Sequence, residues 1–373
     1  MKPLVFHFVT GLDLGGCEVL LVKMLPRMSQ HTPHVVCFRG QGDLGKVLES
    51  RGVPVHYLDA KHVLSLSAIL TFRKLIKQYK PQAMVTHLPH ADLFGRVFGR
   101  LFGIKKIYGY LHSVPDKKFR CLYWFQYFSN RLTSFLVPTF FAVSPIIKDR
   151  YLGMYHFKPE RILVIPNGVE LSKFQQPVDK EKKLKSLNLI DYSPILGCVA
   201  KLRMNEKGQD DLLKAFKMVL NTFPKARLLL IGDGPDKSIL QSMARDLGMD
   251  DAVGFLGNRD DIPELLVILD LMVMSTRLEG MSTTILEAMA AGVAIVTTSV
   301  PGNTSILTHG KEAYLAPARD PQAFGRAILE VLQNLNLQTI LKKNAFEASK
   351  RFDIGFSIKF LDDFLAQSFT NQS

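Results

Sequence analysis

Short apolar runs rich in β-branched and aromatic residues alternate along this chain with longer stretches of helical periodicity, and this alternation constrains the fold more than any other feature. LVFHFV (4–9), HVVCF (34–38), VHYL (55–58), AMVTH (83–87), KIYGYLH (106–112) and FFAVS (140–144) form a first series. After the polar segment QQPVDKEKKLKSLNLIDYSP (175–194), a second series runs ILGCVAK (195–201), ARLLLIGDG (226–234), VGFLG (253–257), LMVMST (271–276) and AIVTTS (294–299). Such runs mark strands buried on both faces, and the intervening stretches leave room for the crossover helices that parallel strands require. One crossover is explicit: in DDLLKAFKMVLNTF, residues Leu212, Leu213, Phe216, Val219, Leu220 and Phe223 recur at a helical period. The expected class is α/β, with two Rossmann-like domains whose parallel sheets face each other across a cleft. Ligands of such domains bind beyond the carboxyl ends of the strands.

The chain has 373 residues, which suits two domains of ordinary size. The expected division is residues 1–178, residues 190–340 and a tail of two helices, 341–373, that returns to the first domain. Cys17, Cys37, Cys121 and Cys198 are far apart and form no C-x-x-C pair, so neither a disulfide scaffold nor a zinc site is expected. No secretory signal opens the chain and no apolar run approaches a membrane span, so the expected location is cytoplasmic. Charge is unevenly divided. Residues 1–178 hold 24 Lys+Arg against 10 Asp+Glu, whereas residues 179–373 hold 23 against 24. The basic half suits an anionic partner such as a phosphorylated substrate, a membrane surface or nucleic acid, although a solvated basic face is as common.

Four segments could carry chemistry. RLEGMSTTILEAMAAG (277–292) sets Glu279 in a loop before a short helix and Glu287 in that helix's second turn, with Ser282 as N-cap and Gly292 as C-cap. TGLDLGGCEVLLVKML places Gly15 and Gly16 where a helix begins, which suits either approach to a phosphate or a sterically tight strand-to-helix turn. CVAKLRMNEKG offers Lys201 and Lys207 as a diphosphate clamp or as ordinary surface lysines. GYLHSV puts His112 just past a strand, with His87 of VTHLPHADL as its competitor.

Taken in order, LGGCE, YLHS, VIPNGVELSKF, AKLRMNEKG, LLLIGDGP, VGFLGN and the E-x7-E segment followed by AMAAGVAIVTTSVPGN closely resemble the retaining glycosyltransferases of family 4, which have the GT-B fold. The resemblance extends from about residue 10 to residue 335 and is most specific at Glu279 and Glu287. It implies that Gly15 and Gly16 approach the donor's phosphate, that Lys201 and Lys207 clamp the diphosphate, and that Glu279 binds donor-sugar hydroxyls near the reacting carbon. It further implies that Glu287 accepts hydrogen bonds from the ribose, that the backbone of Gly280, Met281, Ser282 and Thr283 lies along the donor phosphates, and that His112 touches the donor sugar and its developing charge. The catalytic set is then His112, Glu279 and Lys207, with no metal and no cofactor besides the nucleoside diphosphate sugar. Lys201 stands where arginine is common in the family, and Ser305 where glutamate is frequent.

The expected activity is transfer of a sugar from a nucleoside diphosphate, UDP before GDP, to a glycan or lipid-linked acceptor with retention at the anomeric carbon, in cell-surface polysaccharide or lipopolysaccharide synthesis. The alternative is a nucleotide-sugar epimerase on the same fold. No nucleic-acid motif accompanies the basic half, so nucleic acid is not an expected partner. Residues 96–131 contain eight Lys+Arg, one acidic residue and ten aromatics, a mixture that suits peripheral attachment to the anionic inner face of the cell membrane.

Overall fold

The computed structural model describes residues 2–13, 15–112 and 120–370. The chain divides into two compact units, Met1–Asn167 with Ile354–Ser373, and Gly168–Asp353.

The first unit is built on seven parallel strands: β1 (Leu4–Val9), β2 (Thr32–Cys37), β3 (Val55–Tyr57), β4 (Ala83–His87), β5 (Lys106–Leu111), β6 (Phe140–Ala142) and β7 (Ile162–Val164). Their order across the sheet is β3-β2-β1-β4-β5-β6-β7. Helices cover the sheet, so side chains of both parities are buried: Phe6 and Phe8 on one face of β1, Val5, His7 and Val9 on the other. A histidine inside such a strand is unusual, and His7 lies at full burial. The helix Ile354–Thr370 packs in this unit. Its Asp362 carboxylate accepts the backbone N–H groups of Ser29 and Gln30 and sits 2.8 Å from His31 Nδ1, while Phe364 meets Tyr108 and Phe141 edge-on.

The second unit has six parallel strands: β8 (Ile195–Val199), β9 (Arg227–Ile231), β10 (Val253–Gly257), β11 (Leu271–Met274), β12 (Ala294–Thr298) and β13 (Tyr314–Ala316). Their order is β10-β9-β8-β11-β12-β13. Leu196, Cys198, Leu228, Leu230, Leu271 and Val273 share one face of this sheet, against which the helix Gln209–Thr222 lays Leu212, Leu213, Phe216 and Val219. Each such side chain contributes roughly 1.5–3 kcal/mol by leaving water, so the periodic stripe in the sequence anchors the crossover. The polar segment between the two strand series, 175–194, is not bare coil. Asp179 caps the helix Lys180–Ser186 by accepting the Lys182 N–H at 2.9 Å, and Lys183 pairs with Asp261 and Glu264, which ties the helix to the second unit.

In both sheets the chain winds outward from a central strand, returns and winds the other way. The strand order therefore reverses between β1 and β4 in the first unit and between β8 and β11 in the second. Beyond the carboxyl ends of these neighbours the flanking loops splay apart, and that is where a doubly wound sheet leaves room for a ligand.

Candidate active site

Lys201 and Lys207 follow β8 and Glu279 follows β11, so three of the expected residues lie at the second unit's switch point. The loop after β8 forms one helical turn, Met204–Lys207, and leaves it through Gly208 at φ +64°. A side chain there would be strained, and its Cβ would overlap the Ser275 carbonyl oxygen. The bare glycine brings the two loops into register. Ser275 Oγ donates to the Gly208 carbonyl at 2.7 Å, Thr276 Oγ1 to the Glu206 carbonyl at 3.0 Å, and the Arg277 N–H to the same Glu206 carbonyl at 2.8 Å. Arg277 completes the junction: its guanidinium reaches Asp210 at 2.7 Å and Asp211 at 2.5 Å and donates to the Met204 carbonyl at 2.9 Å.

This junction fixes Lys207 Nζ at 2.6 Å from Glu279 Oε2, with both side chains mostly enclosed. Burial works against the lysine's charge, but the adjacent carboxylate outweighs it and raises the ammonium pKa above its ordinary value, so Lys207 is charged. Gly302 lets the helical turn Pro301–Thr304 lie directly against the Glu279 backbone, because an added Cβ would overlap the Glu279 carbonyl. Ser282 caps the helix Thr283–Ala290, its Oγ accepting the Ile285 N–H at 3.3 Å, and Gly292 follows at φ +67°. Gly280, Met281, Ser282 and Thr283 thus lead into the helix, and Glu287 lies part-buried within it. Lys201 differs from Lys207: its carbonyl accepts Gln209 Nε2 at 2.9 Å, while the residue is exposed. The two lysines share a loop but not an environment. Ser305, in the place of the expected glutamate, turns inward and donates to the Gly302 carbonyl at 2.7 Å.

The remaining expected residues meet at the first unit's strand ends. Gly15 is the N-cap of the helix Gly16–Met24, and the Cys17 thiol of its first turn lies 3.2 Å from His112 Nε2. At Gly16 an added Cβ would meet no other segment within 4 Å among the described residues, so packing against them does not demand that glycine. His112 follows β5 and lies 3.1 Å from Nδ1 of His87, the last residue of β4; His87 Nε2 in turn lies 3.4 Å from His7 Nδ1 on β1. Tyr110 stacks on both His87 and His112. Burial holds all three histidines neutral: it pushes His112 down to about 3 and, aided by neighbouring imidazoles, lowers His7 and His87 well below the usual range. His112 and His87, competitors in the sequence, are adjacent members of one cluster. The sequence reading missed Cys17 and His7 as members and Arg277, Asp210 and Asp211 as positioning residues. A histidine inside a strand run and an arginine two residues before Glu279 are the signals that point to them.

The basic, aromatic stretch 96–131 divides in the structure. Arg96 is fully buried, paired with Asp92 at 2.7 Å and bonded to Asn130 at 2.8 Å, and Lys106 binds the Ser368 carbonyl and sits over Phe369. These two cations are structural and not interfacial. Packing accounts for both, so neither belongs to the basic face that the composition of 96–131 suggests. Tyr108 and Tyr110 are core residues, whereas Trp124, Phe128 and Leu132 form an exposed stripe at helical spacing that continues to Phe135. Lys117, Lys118 and the side chain of Arg120 lie outside the described residues. Among the described residues, no helix is long and apolar enough to cross a membrane.

Two doubly wound units with polar constellations at their switch points are the architecture of GT-B glycosyltransferases, and comparison with known proteins extends this to the sequence. Residues 14–173 match the family described as Glycosyltransferase Family 4 and residues 179–348 match Glycosyl transferases group 1; the chain belongs to this glycosyltransferase family. It is 27% identical over 318 residues to the UDP-Gal:alpha-D-GlcNAc-diphosphoundecaprenol alpha-1,3-galactosyltransferase of Escherichia coli, covering 81% of both chains. It is 33% identical over 154 residues to the lipopolysaccharide core biosynthesis mannosyltransferase LpsB of Rhizobium meliloti, covering 39% of this chain and 40% of the relative. Among solved structures, HepE of Anabaena in complex with UDP-glucose superposes with a TM-score of 0.87 at 20% identity, covering 98% of this chain and 99% of that one.

Proposed function

We propose that this glycosyltransferase moves a sugar from a UDP-sugar to a lipid-linked glycan acceptor with retention of anomeric configuration and without a catalytic metal, in the synthesis of a cell-surface polysaccharide or lipopolysaccharide. The observation that carries the reading is the enclosed Lys207–Glu279 pair at the β8/β11 switch point. In this reading Lys207, Lys201 and the amino end of the helix Thr283–Ala290 supply the positive charge that faces the diphosphate. The family resemblance assigns the backbone N–H groups of Gly15 and Gly16 to a donor phosphate.

Glu279 has one carboxylate oxygen engaged by Lys207 and another available for sugar hydroxyls, while Glu287 takes the ribose. The Lys–Glu contact couples these roles, since a diphosphate that draws on the ammonium shifts the carboxylate's partner. Charge grows on the diphosphate as the glycosidic bond breaks. The leaving phosphate oxygen then accepts the proton of the acceptor hydroxyl, which attacks from the same face, so no protein nucleophile is needed. His112 contributes as a neutral hydrogen-bonding group near the donor sugar, because an imidazole held near pKa 3 is not a cation at neutral pH.

UDP and a lipid-linked acceptor are supported by the printed activity of the Escherichia coli relative and by the UDP-glucose complex of the Anabaena protein. The exposed Trp124, Phe128, Leu132 and Phe135 stripe supports attachment at a membrane surface. The test is a thermal-shift panel of UDP- and GDP-sugars, followed by product analysis with the best donor. A ligand at a hundred times its Kd stabilises by about 2.7 kcal/mol. The expected result is a UDP-sugar hit, an α-linked product from an α-linked donor, and turnover not lowered by chelator. An inverted product, or an epimer formed from donor alone, would overturn the reading.

A further inference from the structure

We propose that Cys17 Sγ, His87 Nδ1 and His112 Nε2 form a binding site for one thiophilic divalent ion of the zinc class. The three atoms lie within 4.8 Å of one another, and two of the edges, Cys17 to His112 and His87 to His112, measure 3.2 and 3.1 Å. Zinc–sulfur and zinc–nitrogen bonds of normal length give tetrahedral edges of roughly 3.3–3.6 Å. Two edges therefore need only a small expansion, and the third lies within 4.8 Å.

The ligands come from three fixed places: the first turn of the helix Gly16–Met24, the end of β4 and the residue after β5. Ligands on such elements hold their geometry better than ligands on free loops. Behind His87, the His7 ring lies 3.4 Å from Nε2, the position of the outer partner that orients a metal-bound imidazole. Cys17 and His87 are buried and His112 is partly so, and three protein ligands leave one position of a four-coordinate ion for solvent. A thiol with two imidazoles selects Zn²⁺ and its neighbours over Mg²⁺ or Ca²⁺, which take oxygen ligands. As the metal–sulfur bond forms, the Cys17 proton passes to solvent.

This site uses no residue of the second unit, but it shares His112 with the chemistry proposed above. Its consequence rests on that reading: an ion bound to His112 fixes the imidazole assigned to the donor sugar and brings a positive charge beside it, so binding should inhibit transfer.

The test uses the full reduced, metal-free chain titrated with Co²⁺ as a spectroscopic probe and then with Zn²⁺. The expected result is a thiolate-to-cobalt charge-transfer band that saturates at one equivalent and is displaced by Zn²⁺. The band should disappear in Cys17→Ser and Cys17→Ala, persist in Cys198→Ser, and require at least tenfold more Co²⁺ in His87→Gln. Thermal melting of each variant confirms that it folds. Absence of the band in the unaltered chain would mean a hydrogen-bonded cluster only and would overturn the site, as would its survival in both Cys17 variants. Stoichiometric binding without loss of transfer would leave the site standing and overturn the role of His112 instead.

Discussion

The two units share a strand plan but solve opposite electrostatic problems at their strand ends. The second unit gathers full charges: Lys207 against Glu279, and Arg277 against Asp210 and Asp211. The first gathers groups that burial keeps neutral, with His112, His87 and His7 linked ring to ring beside a thiol. Seven of the nine histidines of the first unit have lowered pKa values, whereas the second unit holds one histidine, His309. Similar topology therefore does not imply similar chemistry. A unit that presents charge to a diphosphate needs ion pairs that hold those charges in place, while a unit that presents hydrogen-bonding groups to a sugar can keep them dry.

Acid should break this symmetry most strongly. The buried imidazoles have folded pKa values below the unfolded value of about 6.5, so the unfolded chain binds the extra protons and stability falls as pH drops below that value. The fully buried His7 and His87 each remove about 1.4 kcal/mol per pH unit in that range. Trp124, the one tryptophan of the chain, reports on the first unit. Between pH 7 and pH 5 its fluorescence transition should move to lower denaturant, while exchange protection of β8, β9 and β11 amides changes little. Equal loss in both units would remove the contrast.

Glu279→Ala should come next, lowering kcat/KM by roughly a hundredfold to a thousandfold, or about 2.7–4 kcal/mol, as loss of one preorganised polar group at a reacting centre does. Gly208→Ala tests whether the loop junction positions that carboxylate. With φ at +64° and the Ser275 carbonyl in the way, it should cost about 1–3 kcal/mol and lower activity alongside stability. Wild-type melting and kinetics in this variant would detach the junction from the site.

The smallest effect concerns the surface. Trp124→Ser with Phe128→Ser should weaken sedimentation with anionic vesicles by about 1 kcal/mol per ring, less than the roughly 1.5–3 kcal/mol for full burial of such a side chain. Unchanged partition would send the acceptor reading back to a soluble glycan.

What the sequence displayed was local. The strand runs, the crossover stripe and the Ser282-to-Gly292 helix frame are written in neighbouring residues, and the structure places them close to the expected bounds. β7 and β13, each a three-residue strand at the end of its sheet, were missed, whereas β3, equally short and equally placed, was read from VHYL; length and edge position alone do not separate them. Lys207 and Glu279 were legible as residues after strands, but their contact spans 72 positions and exists only because Gly208 and Ser275 bring two loops together. The histidine cluster was less legible still, since His7, His87 and His112 come from three different strands or strand ends. The charge of residues 96–131 misled in part, because composition does not separate a buried arginine such as Arg96 from a surface one.

The central claim is that charge in the second unit binds the donor while the neutral cluster of the first unit serves the reaction. Isothermal titration of UDP into the full chain, Lys207→Ala and His112→Ala, paired with turnover of the same preparations, tests it directly. Loss of a buried partner of an ion pair costs about 3–5 kcal/mol, and loss of a positioned hydrogen-bonding group at the reacting centre costs about a hundredfold in rate. The account predicts that Lys207→Ala weakens UDP binding at least tenfold, and that His112→Ala binds UDP within twofold of the unaltered chain while turning over about a hundredfold more slowly. UDP affinity that falls with His112→Ala and survives Lys207→Ala would contradict it.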